Sequence, residues 1–523
     1  MKKISLLITI LVCNLLSVFS QTQTAYDALL ASSSELNGTA RFMSVGGAMG
    51  ALGGDASTIF YNPAGIGIYR SSEFTATANI NWDYTTLSNS NSNIVSNNGK
   101  ARVDLQHIAL VGTWLFEDSN FLLNFNLGAA YNQSKKFARE GKYNGYQPHS
   151  YTQWVAAMTD DIPVGALTEE FTHKNPAYED QSIPWSSVLA FDSYLTDTKY
   201  VDKDNVYTSL YDWSKSKTTH QDIFFKEAGS ANDFALSLSG NFKNLVYWGM
   251  TFECDYADYF RETTLRETME DGSVYHLTNR YGFESTGFTY KIGLIVKPTS
   301  WLRIGGAFHT PTLYYLKDFS SSSCDYHVND IGGVSRRGYN ETPSSVGSTK
   351  LTGPLKAIGS LGFVLGRFGF IGVDYEYENS AAINDNMDEI QYLYSESLKD
   401  RHTVRAGIEV KPIGDLSLRL GGGISTPRVA EDMSRGYYYN DVRTDTDYYN
   451  EKESYNVTAG IGYRIGRHTI DLAYVWQVNT ADYYPYAPSY TKYDGTQFNI
   501  DNFEPIGLRS VRNQLVLTYS VRF

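Results

Sequence analysis

Alternation of apolar and polar residues with a period of two runs through long segments of this chain, and it constrains the fold more than any other feature. Residues 73–86 put Phe74, Ala76, Ala78, Ile80, Trp82 and Tyr84 on one face and Thr75, Thr77, Asn79, Asn81 and Asp83 on the other. Residues 121–132 repeat the pattern, with Phe121, Leu123, Phe125, Leu127, Ala129 and Tyr131 against Asn124, Asn126 and Asn132. A strand that crosses a bilayer must offer apolar side chains to lipid at every second position and can be polar between them. The spacing therefore predicts a transmembrane barrel.

Further strands come in pairs with very short connections. Phe234–Phe242 leads through Lys243 and Asn244 into Val246–Tyr256, and Tyr290–Val296 leads through Pro298, Thr299 and Ser300 into Leu302–Phe308. Ala357–Leu365 turns into Phe368–Tyr377, Val404–Val410 into Leu416–Ile424, and Tyr455–Ile465 into Ile470–Trp476. With strands at 103–115 and 511–523, this predicts an all-β, antiparallel barrel of about fourteen strands, an even number that closes without an edge. Long connections at 88–100, 134–229, 318–346, 379–400, 427–452 and 479–507 alternate with the short ones and should face outward. The segment 134–229 is too long for a structureless loop. Helices around Ser150–Met158 and Trp185–Leu195 would make it an external cap.

The N-terminus has the form of an export signal over residues 1–20. Lys2 and Lys3 precede the apolar run Ile4–Phe19, and Ser20 precedes Gln21, where the mature chain is expected to begin. Cys13 follows Val12 rather than a small residue, which argues against lipidation. No later stretch of eighteen apolar residues exists, and the mean hydropathy is -0.34, so helical membrane spans are not expected. Cys254 and Cys324, on a strand face and in a serine-rich loop, are not expected to pair. A net charge of -13 with no basic stripe disfavours nucleic acid as a partner. The 41 tyrosines, 26 phenylalanines and 8 tryptophans suit aromatic girdles at two membrane interfaces.

Between the signal and the first strand lies Gly46–Gly67, GGAMGALGGDASTIFYNPAGIG, too rich in Gly and Ala to be a barrel strand. Its six glycines from Gly46 to Gly65 permit close backbone approach, and Pro63 holds Asn62 extended. No strand precedes it and no G-K-[ST] is present, which argues against a nucleotide loop and leaves a plain glycine-rich turn without a gating role as the alternative to a plug. The expected layout is a plug at 21–70 and a barrel at 71–523. Here the chain resembles the FadL/TodX family of outer-membrane transport proteins, whose N-terminal hatch carries a Gly/Ala-rich run, an Asp-Ala pair and Asn-Pro-Ala. The matching positions are Gly53, Asp55, Ala56, Asn62, Pro63, Ala64 and the following Gly65.

Charged strand residues of inward parity are Arg303, Arg405, Arg419, Arg464 and Arg512, with Glu253, Asp374, Glu376, Glu409 and Asp471. An Arg facing lipid at midplane would cost about 2–4 kcal/mol, so these should line the lumen. They read as an ion-pair network bracing wall and plug rather than as a site for an anionic head group. The nine histidines show no H-E-x-x-H and no clustering with cysteine, and His107 and His309 read as structural. No G-x-S-x-G elbow occurs, and Asp374 with Glu376 line one wall as naturally as they would catalyse. No enzyme, metal or cofactor is expected.

The resemblance implies a passive channel for hydrophobic small molecules, multi-pass in the outer membrane of a Gram-negative bacterium and surrounded by its lipids. In that family ligand leaves sideways at a kink in the third strand, which here would fall at Gly128, Ala129 and Ala130. Asn62 would then satisfy the backbone groups the kink leaves free. Leu515, Leu517, Tyr519, Val521 and Phe523 alternate up to the end of the chain, which resembles the signal read by the barrel-assembly machinery. A FadL-like barrel also serves as a shuttle subunit in a secretion system, so a protein partner at the external loops is the alternative; an open lumen would favour transport and a filled one docking.

Overall fold

The computed structural model describes residues 25–523, apart from 90, 91, 94, 99, 100, 117, 118, 168–175, 180–182, 201, 202, 387, 436–441 and 492–495. The export signal expected at 1–20 lies outside the described residues. Fourteen antiparallel strands close into a barrel: β1 Glu73–Ser88, β2 Arg102–Leu115, β3 Leu122–Phe137, β4 Thr219–Phe242, β5 Val246–Thr268, β6 Val274–Val296, β7 Leu302–His309, β8 Lys356–Val364, β9 Gly369–Glu378, β10 Arg401–Ile413, β11 Leu416–Ser425, β12 Tyr448–Ile465, β13 His468–Tyr484 and β14 Ile506–Arg522. The seam is β1 on β14, in register from Glu73 opposite Arg522 to Ser88 opposite Gly507. Both barrel termini therefore lie at the end that carries the short turns.

The period-two pattern sorts the side chains as expected. On β1 Thr75, Thr77, Asn79 and Asn81 are buried toward the lumen, while Phe74, Ile80 and Tyr84 are exposed outward. The outward belt continues around the wall through residues such as Leu236, Phe252, Ile292, Leu361, Leu420, Val457 and Leu517, all exposed. An apolar belt of this extent is a lipid-facing surface. Tyr519 and Phe523 are exposed on that belt beside the partly exposed Val521, and the Phe523 amide donates to the carbonyl of Ser72 at 3.0 Å. Cys254 and Cys324 are free, as expected.

Strands β4, β5 and β6 run much farther outward than their apolar alternation indicates, with pairing unbroken up to Thr268 opposite Val274 and His220. Beyond Tyr256 the outward positions become charged, held in pairs such as Arg280 with Glu262 and Arg266 with Asp222, both at 2.8 Å. The ladder continues where the membrane pattern stops, which is why sequence placed these strand ends too early. Part of the segment 134–229 is thus wall: β3 runs to Phe137, Glu140–Gln147 pairs with β4, and β4 begins at Thr219. The rest forms the cap, including helices Tyr151–Thr159 and Trp185–Asp192. Ser150 and Gln153 close a capping box on the first helix. Tyr151, Trp154 and Leu189 pack against Phe225, Tyr275 and Tyr483 of the extended wall, so the cap and the strand tops share one core.

Candidate functional site: the plug and its wall

Residues 25–70 fill the lumen as helices α1 Ala25–Ala31, α2 Ala40–Ser44 and α3 Thr58–Tyr61, followed by a 3-10 turn at Pro63–Ile68. The hatch motif builds the plug's own frame. Asp55 accepts from the Thr39 hydroxyl, which caps α2, and from the Ser57 amide at 3.0 Å. Ala56 is buried, and Gly53 has φ +60 with no room for a Cβ beside Ile68 and Gly65. Asn62 accepts from the Ala64 amide at 3.2 Å and donates to Gly50 at 2.7 Å and to Leu294 of β6 at 3.4 Å. Ala64 packs on Tyr247 and Ile295.

The plug rests on a belt of barrel glycines that sequence reasoning missed. A Cβ at Gly249 would lie 2.3 Å from Pro63, at Gly372 2.1 Å from the Ala48 carbonyl, and at Gly407 2.2 Å from that of Val45. Gly362, Gly372, Gly407 and Gly421 stand opposite one another across β8 to β11, forming an in-register groove. Into it fits the turn at Gly46, whose φ of +66 only glycine adopts readily. The available signal was parity: each of these glycines occupies an inward position within a few residues of a short turn.

The charged positions do form a bracing network. Arg419 is buried between Glu409 at 2.7 Å and Asp471 at 2.6 Å, and Arg41 of the plug reaches Glu409 at 3.3 Å. Arg405 pairs with Glu376 at 2.8 Å with its guanidinium 5.6 Å from the Tyr61 ring centre, and Asp374 accepts from the Gly50 amide at 2.9 Å. Arg512 joins Asp83 of the wall to Glu35 of the plug. Arg303 donates to the Leu52 carbonyl. Arg464 is the exception: it stands exposed at the β12–β13 turn and donates to Gly466, because inward parity one residue from a strand end no longer means lumen. Among the histidines, His309 bonds the Tyr61 carbonyl at 2.8 Å and His107 is buried edge-on to Phe60.

Strand β3 does not break at Gly128, Ala129 and Ala130. These residues pair with Val111, Leu110 and Ala109 on one side and Ser237, Leu236 and Ala235 on the other. Gly128 instead leaves room for Ile59 and Ile66 of the plug. The irregularity lies further outward. Pairing of β2 with β3 ends at His107 opposite Asn132, and the β3 register shifts between Gln133 and Lys135. Beyond that point the two strands are bridged by Lys136 to Asp104 at 3.2 Å and by Arg102 to the Ala138 carbonyl at 3.0 Å. The carbonyl of Ser134, left without a strand partner on that side, accepts from the Glu35 amide and the Asn37 side chain. Asn37, not Asn62, thus performs the task expected of a hatch asparagine.

Between the plug and the wall lie cavities of about 190 and 160 Å³, each lined in part by charged side chains. Arg139 holds Glu227 at 2.8 Å, and Arg443 ties Asp27 of α1 to Asp445. Higher still, His149 of the cap is buried, stacked on Phe503 at 4.5 Å and bonded to the Tyr486 hydroxyl at 2.6 Å. Burial lowers its pKa to about 4. The unfolded value is about 6.5, so the neutral form stabilises the cap fully above that pH and the contribution fades as pH falls toward 4, by up to about 3 kcal/mol. Hydrogen exchange of Tyr151–Thr159, corrected for intrinsic rates, should rise between pH 7 and 4.5, and His149→Gln should flatten that rise.

These elements define a transmembrane-type barrel closed by an N-terminal plug. No protein-family model matches the chain, and no curated protein does. Among solved structures, a Pseudomonas aeruginosa FadL homologue aligns at 13% identity over 94% of this chain and 99% of its own, with TM-score 0.48. The Pseudomonas putida toluene transporter TodX aligns at 11% identity over 94% and 99%, with TM-score 0.48. A deltaS2S3 mutant of TodX, a monoaromatic hydrocarbon channel, aligns at 11% identity over 93% and 99%, with TM-score 0.50. By fold the chain is a FadL/TodX-type barrel.

Proposed function

We propose that this protein is an outer-membrane channel for hydrophobic small molecules, which leave the lumen sideways between β2 and β3. The observation that carries this is the end of pairing at His107 and Asn132, where plug residues 35–37 replace a strand partner. Val103 and Leu105 flank the gap, exposed on the outward face at 74% and 50%. A ligand moving from lumen to bilayer gains about 0.8 kcal/mol per CH₂ removed from water, so no energy source is required. The TodX mutant of similar fold is a monoaromatic hydrocarbon channel, which supports the same class of ligand.

Bridging the gap tests the route. With Asp104→Cys and Lys136→Cys joined by a short bis-maleimide that carries a disulfide in its spacer, uptake of toluene by proteoliposomes should fall at least tenfold and recover when the spacer is reduced. Unchanged uptake by the bridged protein would refute the lateral route. A second reading, a docking subunit for a secreted protein, is supported by the small size of the charged cavities left between plug and wall. It predicts no uptake by the unmodified barrel and cross-links from the cap to a protein partner.

A further inference from the structure

On the far side of the barrel from that gap, the plug does not meet the short-turn ends of β8, β9 and β10 flush. A cavity of about 250 Å³ lies between them, roofed by Gly53 and Gly54. One part of its lining is apolar, made by Leu52, Ile68, Val364 and Phe370. The other part carries Arg41, Arg303, Arg367 and Lys411, which face one carboxylate, Glu409.

That carboxylate is already occupied. It accepts from Arg419 at 2.7 Å and Arg41 at 3.3 Å, and Lys411 stands 3.7 Å away. Arg303 gives one N–H to the Leu52 carbonyl, while its Nε is buried with no partner among the described residues. Arg367 stacks on Phe368 at 5.3 Å and has no carboxylate partner among the described residues. A guanidinium presents its N–H groups as a planar fork that matches a carboxylate or phosphate. Two such forks, positioned beside an apolar wall and lacking an acid of their own, define an amphiphile's binding site.

We propose that this pocket binds a small amphiphile with an anionic head, held by Arg303 and Arg367, and an apolar tail laid on Leu52, Ile68, Val364 and Phe370. The pocket is open at the short-turn end, so the head group can come from two sources: a free carboxylate or the phosphate of a membrane lipid. The inference is independent of the lateral route, which runs through the opposite wall and requires no charge on the ligand.

Isothermal titration of the full chain in phosphatidylcholine nanodiscs tests it, with empty nanodiscs as reference and octanoate, octanamide and dioctanoyl phosphatidylglycerol as probes. Octanoate or the phosphatidylglycerol should bind at least tenfold tighter than octanamide, and the tighter of the two identifies the source. Arg303→Gln should weaken the anion at least tenfold and leave octanamide unchanged. If that variant fails to fold, Arg367→Gln, at an exposed turn, should show the same preference lost. Equal binding of octanoate and octanamide, with no binding of the phosphatidylglycerol, would overturn the proposal while leaving toluene uptake unaffected.

Discussion

Valine at Gly407 is expected to drive the plug off its seat and turn a closed barrel into a conducting one. The Val45 carbonyl would lie 2.2 Å from the new Cβ before the two methyl groups are counted, and the contact is with backbone on both sides. Neither side can yield locally, because Gly407 is paired with Gly372 and Gly421 and the Val45–Ala48 segment is seated on all three. The outward face and the β1–β14 seam are untouched, so the heat-modifiable folded band should persist. Single-channel conductance in planar bilayers should rise at least tenfold over the unmodified protein, and residues 25–70 should become open to added protease. A variant that folds, stays closed and protects its plug would show that the belt is not the seat.

Glu409→Gln should lower stability more than any other single charge removal in the lumen. Glu409 is 1% exposed and lies among Arg419, Arg41 and Lys411. Neutralising it leaves the buried Arg419 with Asp471 as its remaining carboxylate, and removing one partner of a buried pair costs about 3–5 kcal/mol. The isosteric amide keeps the shape, so the loss reports charge rather than packing. The temperature at which the folded band disappears should drop by several degrees, and much of the loss should be restored by adding Arg419→Met together with Asp471→Asn, which removes the buried cation and its remaining counter-ion.

Sequence exposed the membrane wall because lipid enforces the pattern: every second residue of β1, β3 and β14 must be apolar whatever the lumen holds. It exposed the plug for the complementary reason, since a Gly/Ala run before a first strand fits nowhere else. Its limits appear where that constraint ends. Above Tyr256 the outward side chains face water, so the strands continue without alternation. Gly128 reads as a kink because glycine in a strand weakens it, yet the residue it accommodates, Ile59, is 69 positions away in the chain and no local pattern reports it. The same holds for Asn37, whose partner Ser134 is 97 residues distant. Arg464 failed on a finer point, that parity assigns a face but not a depth.

The seam between β1 and β14 also sets an order of events. Ala40 of α2 donates to the Thr518 hydroxyl at 2.7 Å, and Arg512 reaches Glu35, so strand β14 closes onto the N-terminal plug. Those contacts span more than 470 residues, the costliest loops the chain can close. Until the thirteen earlier strands are in place, the plug has no wall on that side and the terminal strand has no complete surface to register against. Final closure is therefore a three-body event of plug, first strand and last strand. A lesion anywhere along that line should accumulate a late, nearly complete barrel rather than an unfolded chain.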